Sequence, residues 1–177
     1  MKTSSKETRR SFFAKKALEY YESGFHCSES TILALVEYLN IKSDLFPKIA
    51  SGFHGGYALS GLVCGALSSS VMALGIKFGR NDPLLSPWSA SDKVNQLVKD
   101  FKSHVGTLLC PEIMQCDVWD PIQLQDYIAN RRIAVCGEKV IKFAVSRTIE
   151  IMEMEWPPPE EGRIARSIGI TTLSNKS

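Results

Sequence analysis

The chain has 177 residues, of which 44% are hydrophobic and 23% charged, and its formal net charge is +2. These values are typical of one globular domain with a sizeable core, and they argue against a largely disordered chain. A nearly neutral chain also lacks the strong basic footprint of a DNA-binding domain, so we expect no nucleic-acid partner.

The predicted elements of the first half are helices joined by short loops. Apolar residues at helical spacing predict a first helix from about Lys6 to Glu22 and a second that begins near Cys27 or Ser28. A short helix is expected near 47–51, because proline suits a first helical turn. Three glycines at 52–56 indicate a tight or close-packed backbone.

An uncharged helix, predicted over about 60–78, is the central element and carries Cys64. The stretch 58–76 is long enough to cross a bilayer. Serines and glycines dilute its apolar content, so we expect a buried helix and no membrane span. Gly61 and Gly65 are predicted to lie one turn apart, where another backbone or a cofactor can approach closely.

Helices also dominate the predicted second half. A loop over 81–88 precedes a helix over about 89–104, and Cys110 followed by proline reads as another helix start. A last long helix covers roughly 122–154, with a break predicted near 131–136. Because no alternating strand pattern appears, the sequence predicts an all-α, compact bundle of five to seven helices.

One helical redox domain is expected over 1–156, followed by a polar C-terminal tail over 157–177 that opens with three prolines. The basic N-terminus lacks the apolar run of a secretory signal, so we expect a cytoplasmic protein. Thiols stay reduced in that compartment. The five cysteines are therefore expected to be ligands, reactive thiols or core residues rather than structural disulfides.

Cysteine reacts and binds metals as the thiolate, which a helix N-terminus favours. Cys27 and Cys110 stand at predicted helix starts, and Cys136 stands at a predicted restart after the break. Three helix ends can thus converge on the helix that carries Cys64. Such an arrangement suits an iron–sulfur cluster, and it equally suits a thiol pair that cycles with a disulfide. Free cysteines are also common core residues, so a structural role stays open.

Other motifs are absent from the sequence. No CxxC pair, CxxCH, P-loop, dinucleotide-binding glycine pattern or GxSxG occurs, which argues against the corresponding metal, haem, nucleotide and hydrolase sites. His26 adjoins Cys27 and can lower its pKa or bind metal. His54 lies in the glycine turn. A surface or packing role is the more frequent one for both histidines.

The cysteines and their surroundings form an ordered pattern. Its stretches are GFHCSES at 24–30, GFHGG at 52–56, GLVCGAL at 61–67 with ALG at 73–75, VGTLLC at 105–110, and CGEKV at 136–140. In this order they resemble the C-GCAxxG-C-C family of redox-active proteins over about residues 10–150. Each stretch alone is weak, and the specificity comes from the order of the motifs.

The resemblance implies an all-α fold and a redox role. It also implies kinship with the cluster-bearing part of split-Soret-type cytochromes, and hence an iron–sulfur site. The cluster hypothesis takes [2Fe–2S] as the type, and the predicted spacing of Gly61 and Gly65 makes them the candidate cofactor-binding glycines. Its candidate metal ligands, which are the redox thiols if no cluster binds, are Cys27, Cys64, Cys110 and Cys136.

This chain departs from the family pattern in places. Ser69 stands where the central motif tends to have glycine, and His26 and His54 replace common asparagine and glycine. These changes remove no thiolate, but they can change cofactor packing. Cys116 matches no family position. It either has no role in the site or acts as a resolving thiol.

We favour a cysteine-based protein that transfers electrons through a cysteine-ligated cluster to an unidentified redox partner protein. A metal-free thiol–disulfide or thiol-sensing protein is the alternative, and it predicts close sulfur pairs and one acidic thiol. A non-enzymatic helical interaction module with core cysteines is the third hypothesis. Whether the chain is an oxidoreductase stays open, and its glycine-lined helix surfaces are compatible with a homo-oligomer.

Overall fold

A computed structural model describes residues 2–86 and 88–157, with the side chains of 2–5 left out. The predicted tail from Pro158 onward lies outside these residues. The described part folds into eight α-helices and no strand, which confirms the all-α prediction. They are α1 (Lys2–Glu22), α2 (Cys27–Tyr38), α3 (His54–Tyr57), α4 (Gly65–Phe78), α5 (Trp88–Val105), α6 (Cys110–Met114), α7 (Pro121–Asp126) and α8 (Lys142–Glu153). The count exceeds the predicted one because several of these helices are single turns.

The core forms where α2 and α4 pack against each other, between α1, α5 and α8. Ile32 and Leu35 of α2 are fully buried, as is Leu74 of α4. Burial of such side chains is the main favourable contribution to folding. No helix in the described ranges is long and apolar enough to cross a membrane.

Helix α4 begins at Gly65, five residues later than predicted. Gly61 has a φ of +73°, which a right-handed helix does not allow. Val63 instead forms an isolated antiparallel bridge with Leu109. The sequence predicted that Cys64 lies inside this helix. In the structure Cys64 is the N-cap of α4 and precedes the helix.

The predicted break near 131–136 is wrong. Arg132 has helical dihedrals, φ −58° and ψ −39°, and the helical backbone continues from α7 to α8. Two segments in between, Tyr127–Arg131 and Ile133–Ile141, are π-helical. Cys136 thus lies within a continuous helical stretch and not at a helix start. Such wider winding is rare and is frequently found at functional sites.

Phe101→Ala tests the position of the core. Phe101 has no exposed surface, and its ring centroid lies 6.3 Å from that of Phe143. We expect a loss of about 3–5 kcal/mol in the free energy of unfolding, measured by chemical denaturation. Phe12→Ala is the control, because Phe12 is 59% exposed, and we expect a loss below about 1 kcal/mol. Equal losses in the two variants would contradict this core.

Candidate cysteine centre

Cys27 is the first residue of α2, as predicted, and it is buried. Its sulfur accepts hydrogen bonds from the backbone N–H groups of Gly55, Ser28 and Ala66. Burial nevertheless raises the pKa of the Cys27 thiol to about 12, and the charge of Cys136 adds to this effect. Loss of hydration therefore outweighs the N–H groups that favour a thiolate.

A short antiparallel pairing holds Cys64 beside Cys110. The Cys64 N–H donates to the Leu108 carbonyl at 2.9 Å, and the Cys110 N–H donates to the Leu62 carbonyl at 2.8 Å. Cys110 opens α6, as predicted. Burial raises the pKa of both thiols. Further repulsion from the charges of Cys27, Cys136 and Cys110 acts on Cys64, so the four sulfurs form one electrostatic cluster.

Cys136 has side-chain donors around its sulfur. The Tyr127 hydroxyl donates to the Cys136 sulfur at 2.8 Å, and the Tyr21 hydroxyl also forms a hydrogen bond with it. Arg132 donates to the Tyr21 carbonyl at 2.7 Å, and its guanidinium lies 4.5 Å from the centre of the Tyr21 ring. Burial still raises the pKa of Cys136, although both phenols and Arg132 act to lower it.

A cavity of about 140 Å³ lies among these residues. Its wall includes Cys27, Cys110 and Cys136, while Cys64 lies outside the lining. Met114 also lines it, and its thioether sulfur is 3.3 Å from the Cys110 sulfur. The cavity has the volume of about four or five water molecules, taken at about 30 Å³ each.

Sequence reasoning missed four residues of this site: Met114, Tyr21, Tyr127 and Arg132. Met114 follows Cys110 by four residues, a spacing that places both on one helix face. That signal could have found it. The other three reach the cysteines only through the packing of α1 and the π-helical winding, for which the sequence carries no comparable pattern.

The glycine turn has an unusual backbone. Five consecutive residues from Gly55 to Leu59 have φ values between +51° and +69°, so α3 and the turn after it wind left-handed. This conformation costs about 1–2 kcal/mol for each non-glycine residue. It brings the Gly55 N–H to the Cys27 sulfur and places Leu59 in the cavity wall. Strain of this kind tends to occur at functional sites.

His26 and His54 lie at this cavity with their rings stacked, 4.3 Å between centroids. The His54 Nδ1 is 2.7 Å from the Ser51 carbonyl oxygen. The backbone N–H of His26 donates to the Glu29 carboxylate at 2.9 Å, and this hydrogen bond stabilises the start of α2. Burial, followed by the charge of His54, lowers the pKa of His26. The expected lowering of the Cys27 pKa by its histidine neighbour does not occur, because burial dominates.

The two candidate glycines lie in different surroundings. Gly61 precedes α4, so the predicted one-turn spacing from Gly65 along a helix is wrong. A Cβ at Gly61 would lie 3.1 Å from a side-chain carbon of Pro111. At Gly65 it would lie 2.6 Å from the Phe53 carbonyl oxygen and 3.0 Å from the Cys27 sulfur. The atoms that closely approach Gly61 and Gly65 therefore belong to other residues of this protein. Cofactor binding by these two glycines stays a prediction.

All five cysteines are free and buried, and burial is the first cause of a raised pKa at each of them. The acidic thiol expected for metal-free thiol chemistry is thus not found among the described cysteines. Cys116 contributes a charge that raises the pKa of Cys110, but it does not line the cavity. In the described ranges, no group of three or more His, Cys, Asp or Glu is arranged to hold a single metal ion.

Comparison with known proteins gives one family. Residues 25–151 match the family described as redox-active protein, C-GCAxxG-C-C, and this range includes all five cysteines. No curated protein and no solved structure matches the chain.

Gly65→Ala tests the close approach of α4 to α2. The new methyl group would meet the Phe53 carbonyl and the Cys27 sulfur, so we expect a loss of about 1–3 kcal/mol in the free energy of unfolding. Gly75→Ala on the same helix is the matched control. A Cβ there meets nothing within 4 Å, and alanine should stabilise the helix by up to about 1 kcal/mol. Equal effects in chemical denaturation would contradict the close approach.

The raised pKa of Cys27 predicts a pH dependence of stability in the metal-free protein. The folded state holds the proton up to a pKa of about 12, whereas a thiol in the unfolded chain ionises near pH 8.5. The contribution of Cys27 to the free energy of unfolding is therefore fully present below about pH 8.5, and it is lost as the pH rises towards 12.

We expect the stability difference between the unchanged protein and Cys27→Ala to shrink by up to about 1.4 kcal/mol per pH unit over this window. Denaturation at pH 7, 9 and 10.5 measures it. Comparison at equal pH cancels the ionisation of groups that do not interact with Cys27; the pKa values of Cys64 and Cys110 also depend on Cys27 and contribute to the measured difference. A difference that stays constant with pH would contradict the assignment.

Proposed function

This chain belongs to the C-GCAxxG-C-C family of redox-active proteins, and on that premise we propose that it transfers electrons through a cysteine-ligated iron–sulfur cluster. The proposed ligands are Cys27, Cys64, Cys110 and Cys136, and [2Fe–2S] is the proposed type. One observation carries the proposal: Cys27, Cys110 and Cys136 line one cavity, backbone pairing holds Cys64 beside Cys110, and all four thiols are buried.

The raised pKa values argue against thiol–disulfide chemistry. A thiol attacks a disulfide as the thiolate, and reactive cysteines accordingly have a lowered pKa and partial exposure. The cysteines of this cluster have neither property. A bound metal changes the balance, because coordination removes the thiol proton and supplies positive charge within the buried site.

The donor set fits a cluster better than a single ion. Four thiolates are the usual ligands of [2Fe–2S] and [4Fe–4S] centres. A cluster holds its irons and sulfides between the thiolates, so its ligands stand further apart than those of one ion. Three of the proposed ligands, Cys27, Cys110 and Cys136, line one cavity.

Groups around the sulfurs would stabilise the thiolates. The backbone N–H groups of Gly55 and Ala66 donate to the Cys27 sulfur, and phenol hydroxyls donate to Cys136. Hydrogen bonds to ligand sulfur and exclusion of water are the main means by which a protein sets a cluster's potential. The bound cluster would accept and return one electron, and the fold needs no substrate pocket for that task.

Anaerobic purification, followed by absorption spectroscopy and iron and acid-labile sulfide analysis, tests the proposal. We expect visible bands with stoichiometric iron and sulfide, in protein as isolated or after anaerobic reconstitution. Cys64→Ser should lose both, because a buried ligand is replaced by a hydroxyl group. The matched control is Cys116→Ser, which removes another buried cysteine and should keep them.

Two results would contradict the proposal. The first is a colourless, iron-free protein even after reconstitution. The second is equal loss of iron in Cys64→Ser and Cys116→Ser, which would indicate damage to the fold instead of loss of a ligand. A metal-free protein with titratable thiols would support the thiol–disulfide alternative.

A further inference from the structure

The hydrogen bond from Tyr127 to Cys136 is buried and direct. The two residues are 3% and 6% exposed, and the hydroxyl oxygen lies 2.8 Å from the sulfur. Tyr127 also lines the cavity that Cys136 shares with Cys27 and Cys110. The phenol therefore acts on the sulfur where no solvent weakens the interaction.

π-helical winding explains this contact. In an α-helix of 3.6 residues per turn, residues nine positions apart lie on opposite faces. With i→i+5 bonding a turn takes about 4.4 residues, so nine residues make roughly two turns and end on the same face. Tyr127 and Cys136 belong to the two π-helical segments. The rare winding thus aligns a donor with a candidate ligand.

The surroundings of Tyr127 keep it as a donor. A phenol ordinarily keeps its proton at neutral pH, and the Tyr127 hydroxyl donates to the Cys136 sulfur at 2.8 Å. Tyr21 supplies a second phenol to the same sulfur, and Arg132 holds the backbone of Tyr21 through its carbonyl.

We propose that Tyr127 is a positioning residue that raises the reduction potential of the centre through its hydrogen bond to the Cys136 sulfur. The inference rests on the proposed function. In the loaded protein, one electron from a redox partner protein would reduce the centre, no covalent bond would form or break, and Tyr127 would keep its proton. The added electron would make the Cys136 sulfur more negative, so the Tyr127 hydrogen bond would become stronger and would stabilise the reduced form.

Tyr127→Phe removes this hydrogen bond and keeps the ring. In reconstituted protein, we expect unchanged iron and sulfide content and unchanged visible bands. The reduced form should be about tenfold less favoured, which is a midpoint potential about 59 mV lower for one electron. Spectroelectrochemical titration measures this potential.

Tyr38→Phe is the matched control. Tyr38 is a buried tyrosine, 9% exposed, whose hydroxyl donates to the Glu153 carboxylate at 3.1 Å and to no cysteine. The variant loses the same atom and one hydrogen bond, so it should lose stability while its midpoint potential stays the same. A purely structural role of Tyr127 would make the two variants alike.

A second substitution reverses the expected shift. 3-Fluorotyrosine placed at position 127 keeps the ring and is a more acidic donor, so the midpoint potential should rise. This arm also decides the question if Tyr127→Phe does not load with iron.

An unchanged potential in Tyr127→Phe, or no rise with 3-fluorotyrosine, would overturn this inference and leave the proposed cluster in place. Failure of the unchanged protein to load with iron would instead overturn the proposed function, and this inference with it.

Discussion

The arrangement of the cysteines depends on the close approach of α4 to α2 at Gly65. A side chain larger than hydrogen would collide there with the Phe53 carbonyl and the Cys27 sulfur. Because this contact is so short, the backbone N–H of Ala66, in the first turn of α4, reaches the Cys27 sulfur. The same contact holds the N-cap residue Cys64 near the start of α2, while backbone pairing attaches Cys110 to Cys64. Three helix starts thus meet at one point.

Two electrostatic effects compete at that point. Helix starts and backbone N–H groups stabilise negative sulfur, whereas burial disfavours any charge. Burial wins at every cysteine of the cluster, since each pKa is raised. The positive charge of the proposed cluster would compensate for the lost hydration, and the same N–H groups would then stabilise the thiolates. Without such a charge, the buried thiols are poor nucleophiles.

Backbone strain accompanies this site. The left-handed turn from Gly55 to Leu59 includes three non-glycine residues with positive φ, each destabilising by about 1–2 kcal/mol. The turn supplies an N–H to the Cys27 sulfur and closes one side of the cavity with Leu59. The well-packed core of α2, α4 and α8 offsets this cost, so an unfavourable backbone persists where the candidate site needs it.

The sequence by itself determined the helical class, most helix positions and the importance of the cysteines. Helical periodicity and helix-start residues report local structure, so α1, α2, α5 and the start of α6 lie close to their predicted places. The ordered cysteine motifs also identified the family. These features depend on short stretches of chain, which is why they can be read directly from it.

Only the tertiary structure decided which groups surround each sulfur. The start of α4 depended on the pairing of Val63 with Leu109, a contact between distant residues. The raised pKa values depended on burial from all sides, which outweighed the helix starts visible in the sequence. Tyr127 reaches Cys136 because the helix winds in the π form. A nine-residue spacing in the sequence would have placed the two side chains on opposite faces of an ordinary helix.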